Sequence, residues 1–122
     1  MARQIENSIE TELFNERALM ILLDDSNDAA KALLDAAIEE MHETLEKMRQ
    51  HIEDENFSGI LVDAVNARGV AGAMMSRLIK DAADKVAAMA VLQNIEEAKT
   101  SYSDMCRSLK RFELHLRLKG WL

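Results

Sequence analysis

Proline is absent from this 122-residue chain. Proline clashes with the preceding turn and lacks the N–H that a helix interior needs, so its absence permits long uninterrupted helices. Aromatic residues are scarce, with one Trp, one Tyr and three Phe. A core built on stacked rings is therefore excluded, and apolar content comes instead from Ala, Leu, Ile, Val and eight Met. These residues mostly lose little rotamer freedom in a helix, which favours helix over sheet. The single cysteine, Cys106, excludes an intramolecular disulfide. No run of about 20 uncharged residues occurs, so no membrane span is expected. No basic-then-apolar leader opens the sequence, and a reducing, cytoplasmic setting is the expectation.

Charge is plentiful but uneven. The net charge of −7 disfavours a general binder of nucleic acid or anionic membrane. Residues 1–58 carry fifteen acidic and five basic side chains, whereas residues 59–122 carry seven and ten. From Lys99 onward, Lys99, Arg107, Lys110, Arg111, Arg117 and Lys119 face only Asp104 and Glu113. Either the acidic early helices lie along the basic last one, or the basic end is a docking surface.

Apolar spacing then sets the expected elements. Ile5, Ile9 and Leu13 recur every four residues, predicting a first helix over about 3–24. Asp24 to Asp28 is a run of small polar residues that favours a turn and a cap, from Ser26, Asn27 or Asp28. A second helix over about 27–55 carries Ala30, Leu34, Ala37, Met41, Leu45, Met48 and Ile52 at steps of three and four, close to a coiled-coil seam. Ser58 suits the cap of a third helix over about 58–68. Gly69 and Gly72 each weaken a helix by about 1 kcal/mol relative to Ala, marking a break or a close approach of a neighbouring backbone. The last helix spans about 70–119, with Met75, Ile79, Val86 and Met89 followed by Leu109, Phe112 and Leu116. Leu92, Ile95 and Ala98 step by three, which rotates the stripe and points to a kink near 99–101, where Ser101 and Asp104 resemble a capping pair. Gly120 suits the left-handed position after this helix, placing Trp121 against Leu116.

The expected fold is thus an all-α antiparallel helical bundle with coiled-coil-like packing, in one domain over 1–122. Its packing seam is expected to use Leu34, Met41, Leu45, Met48, Ile52, Met75, Ile79, Val86, Met89, Leu109, Phe112 and Leu116.

No residue pattern assigns a reaction. Glu39 and His42 have the Glu-x-x-His spacing of bundle metal sites, but neither His51 nor His115 repeats it. Cys106 sits in an apolar arc with no local histidine to act as base, which fits a core thiol. Arg111 and His115 share a helical face and could grip a phosphate, a pairing common by chance. Arg68 to Gly72 lacks the length and lysine of a phosphate-binding loop. No catalytic residue, metal ligand or cofactor is therefore assigned. The expected function is a non-enzymatic protein–protein interaction module, such as a small adaptor, a chaperone-like protein or a phage-type assembly component. Its expected partners are further copies of itself, another protein, or both. Candidate partner-binding residues are Lys110, Arg111, Arg117, Trp121 and Leu122, since Trp is enriched at binding hot spots. A nucleic-acid-associated oligomer using the basic last helix is the alternative, and a helical enzyme with a metal or phosphate site a further one.

Overall fold

Each connection between long helices is made by three residues, and the same local chemistry recurs in all of them. The computed structural model describes residues 9–122, so the expected first-helix positions Arg3 and Ile5 lie outside the described residues. A helical stretch over residues 9–13 precedes α1 (Glu16–Leu22), α2 (Asn27–Glu53), α3 (Phe57–Ala73), α4 (Arg77–Val91) and α5 (Ile95–Leu118). No strand occurs among the described residues. None of these helices is long and apolar enough to cross a membrane.

Every one of α1 to α5 begins at a side-chain cap. Asn15, Ser26, Asn56, Ser76 and Asn94 each accept a hydrogen bond from the backbone N–H three residues on, satisfying a donor that the helix start leaves free. The preceding helix ends in the left-handed region, at Glu55 (φ 50°), Met75 (φ 57°) and Gln93 (φ 54°). The amide of the next residue then donates back five positions. Asn56 reaches His51 O at 2.9 Å, Ser76 reaches Ala71 O at 3.0 Å, and Asn94 reaches Met89 O at 2.9 Å. This is the Schellman ending, and its final residue doubles as the cap of the following helix.

These turns correct the expected boundaries. Gly69 and Gly72 lie inside α3 and break nothing, so there is one helix where a break between 58–68 and 70–119 was expected. The long last helix is instead divided at residues 74–76 and 92–94, because Ser76 and Asn94 supply caps that propensity alone does not reveal. Residues 99–101 run without a break within α5, and Ser101 is a buried mid-helix residue rather than a cap. Asn56, not Ser58, caps α3. Met75 leaves the expected seam for the α3–α4 turn, where it is half-buried. The first helix is interrupted at Phe14 and Asn15.

Helices α2 to α5 pack in sequence as antiparallel neighbours, and α5 also meets α2. Of the expected seam, Leu34, Met41, Leu45, Met48, Ile52, Ile79, Val86, Leu109, Phe112 and Leu116 are buried, and Met89 is half-buried. Helix α2 has 27 residues against 17 in α3. At 1.5 Å per residue, about 15 Å of α2 extends beyond α3. The segment from Leu13 to Leu19 covers that end. Phe14 packs edge-on against Phe112 with ring centroids 5.4 Å apart, and Asn15 N donates to Met75 O at 2.9 Å.

Candidate interaction surfaces

Helix α3 departs most from an ordinary surface helix. Only Asp63 and Arg68 among its 17 residues are charged, and apolar residues surround its axis rather than forming one stripe. Ile60, Ala64, Ala67, Val70 and Ala71 face the core. Its two charges are spent on its neighbours. His51 Nδ1 of α2 donates to the buried Asp63 Oδ2 at 2.5 Å, and Arg68 forms an ion pair with Asp84 of α4, Nε to Oδ1 2.7 Å. The remaining face carries Ser58, Val62, Val65, Gly69 and Gly72, all exposed, with Val62 at 59% and Val65 at 57%. Their steps of four, three, four and three form a second stripe of the kind that joins helices, here turned to solvent. A Cβ added at Gly69 or Gly72 would meet no atom within 4 Å. The close backbone approach that these glycines permit is therefore not used by any described part of the chain.

The Arg68–Asp84 pair marks the register between α3 and α4. Two turns beyond Asp84, Val91 lies near the start of α3 and is 67% exposed, as is Leu92 at 68%. The stripe of three-residue steps at Leu92, Ile95 and Ala98 thus reflects a helix end, with Leu92 left in solvent.

The basic end is arranged differently. Lys110, Arg111 and Arg117 are exposed and form no ion pair with a described residue. Arg111 borders an open groove between α4 and α5 together with Asp81, Lys85, Asp104 and Arg107, so charges of both signs mix there. Trp121 is half-buried. Its amide donates to Leu116 O at 2.8 Å, and its indole Nε1 donates to Glu16 Oε1 at 2.7 Å. Gly120 before it has φ 83°, a conformation glycine adopts without steric cost. The indole thus clasps α1 to the end of α5, while Leu122 stays exposed.

Across α2 and α5 the charges pair in the sense opposite to the overall imbalance. His42 Nε2 on the acidic helix donates to Glu113 Oε1 on the basic one at 2.8 Å. His42 is thereby linked to α5 rather than joined with Glu39. Beside this pair, Glu46, Tyr102, Cys106, Leu109 and Lys110 line a small recess. Burial, and then the hydrogen bond with Cys106, push the Tyr102 hydroxyl well above the usual tyrosine range. The Arg49 guanidinium, hydrogen-bonded to Glu46 at 2.5 Å, holds the Glu46 carboxyl below its ordinary value. Cys106 is half-buried.

Two features had weak or absent signals in the residues. The Val62–Val65 stripe was masked because the same helix carries an apolar face inward as well. The His51–Asp63 pair joins two helices through twelve positions, a spacing with no local periodicity. In comparisons with protein families, curated proteins and solved structures, nothing matches the chain.

Proposed function

We propose that this protein is a helical protein–protein interaction module, of the small adaptor, chaperone-like or phage-assembly kind, acting by helix-on-helix packing rather than by catalysis. The open face of α3 carries this reading. It combines two exposed valines with two glycines whose backbone is accessible, on a helix whose only two charged residues are paired with neighbouring helices. Apolar surface at helical spacing gains free energy by leaving water against another helix. The test is capture of partners from the native host on the immobilised protein, resolved into protein and nucleic acid. Protein retained at high salt and lost from a Val65→Asp variant is the expected result. Capture unaffected by that variant would overturn the reading.

A second reading is supported by Lys110, Arg111 and Arg117, which are exposed and form no ion pair with a described residue. A nucleic-acid-associated oligomer would use them as phosphate contacts. Binding would then fall steeply with added salt and weaken on changing Lys110 and Arg111 to Ala.

A further inference from the structure

The stripe on α3 is complementary to itself. Turned end for end about a two-fold axis level with Ala67, it places Val65 opposite Gly69 of the second copy and Val62 opposite Gly72. In each pair a branched side chain meets a position with no side chain and nothing within 4 Å of where one would begin. Val62 and Gly72 then stand in the layers that seam positions share when two helices run antiparallel. A two-fold interface must match itself in this way, because each residue meets its partner twice.

Charge points to the same occupant. The chain carries −7, so copies repel one another in general. The stripe of Ser58, Val62, Val65, Gly69 and Gly72 has no charged residue, and the two charges of α3 are directed sideways into the His51 and Asp84 contacts. The charge nearest the axis, Arg68 at the edge of the stripe, is already paired with Asp84 of its own chain, so two acidic chains can meet on this face with no unpaired charge of α3 between them. Its extent sets the strength. With the axis level with Ala67, the two copies of α3 overlap over residues 61–73, about 18 Å, and a single helix-on-helix contact of that length falls at the low end of protein interfaces, below roughly 1,200 Å². A reversible dimer follows, not a permanent one.

We infer that α3 pairs antiparallel with α3 of a second copy, Val62 and Val65 of each chain packing over Gly72 and Gly69 of the other. This rests on the reading of α3 as an interaction face and names its occupant.

Sedimentation of the full chain over a range of concentrations tests it. A monomer–dimer equilibrium in the micromolar range is expected, with Val65→Asp monomeric throughout and still helical by circular dichroism. Gly69→Ala separates this packing from a general loss of stability. Alanine favours the helix, so the dilute monomer should unfold at a higher temperature, while dimerisation weakens about tenfold because the added methyl fills the space Val65 needs. A dimer indifferent to both changes would overturn the proposal. So would a chain that stays monomeric at high micromolar concentration. If that monomer still captured a host protein through Val65, the pairing of copies would fall and the interaction reading would stand. If it captured nothing, both would fall.

Discussion

The imidazole of His51 occupies the space where a side chain at residue 59 would begin. A Cβ on Gly59 would lie 2.6 Å from His51 Cγ. The ring is held there by its bond to Asp63, itself only 4% exposed. Glycine is required at 59 so that α2 can deliver a hydrogen-bond donor to a carboxylate buried in α3.

Gly59→Ala should therefore destabilise the protein. Helix propensity favours Ala by about 1 kcal/mol, but the forced shift of the ring costs about 1–3 kcal/mol. His51→Ala leaves the Asp63 carboxylate buried without its partner, at a cost of about 1–3 kcal/mol or more. In that background the sign at 59 should reverse, and Gly59→Ala should stabilise. Urea unfolding of the two single variants and the double variant measures the coupling; additive effects would contradict the arrangement.

The segment before α2 should belong to the core rather than fray from it. Phe14 is 3% exposed and packs against Phe112, which is fully buried. Phe14→Ala is expected to cost about 3–5 kcal/mol, in the range for a deleted core aromatic. A change of under about 1 kcal/mol in chemical denaturation, the size of an ordinary surface substitution, would show that this end of the bundle holds without its cover.

The left-handed turn residues offer room for stabilisation. Glu55 and Gln93 are exposed and adopt φ values of 50° and 54°. A side chain in that region costs about 1–2 kcal/mol, whereas glycine is strain-free there but loses more unfolded-chain entropy. Glu55→Gly and Gln93→Gly should each raise stability by about 0.5–1 kcal/mol. Thermal unfolding of either variant would reveal a fall instead if those side chains made hidden contacts.

Tyr102 is the only tyrosine, so its ionisation can be followed directly. Its hydroxyl is raised above the ordinary value of 10.0, mainly by burial and next by Cys106. Folding therefore favours the neutral phenol. The resulting stabilisation is fully present below the unfolded value near pH 10 and is lost as pH rises through the higher folded value. Phenolate absorbance should appear at higher pH in the folded protein than in the denatured chain. Cys106→Ala should narrow that gap. Coincident titrations would contradict a hydroxyl raised by burial and by Cys106.

Local relationships were readable in the residues, and distant ones were not. Trp121 and Leu116 are five apart, and glycine between them at 120 signals the left-handed turn that joins them. Met75 and Gln93 occupy the same kind of turn without being glycine, so the usual marker was missing. Meanwhile Gly69 and Gly72 carried the marker and sit in unbroken helix. Tertiary packing outweighs a propensity cost of about 1 kcal/mol per glycine. Of the candidate partner-binding residues, Lys110, Arg111, Arg117 and Leu122 are exposed, whereas Trp121 is engaged with Glu16, 105 positions away.

What this chain's residues determine unaided is helix, and which side of most helices is apolar. Backbone hydrogen bonding and side-chain entropy act within a few positions, and the 3.6-residue period follows from them. Only the folded structure decided which of the two apolar sides of α3 was buried. That choice depends on how α2 and α4 lie against it, through His51, Asp63, Arg68 and Asp84. A helix with oily residues all round contains no instruction about which side to leave in water.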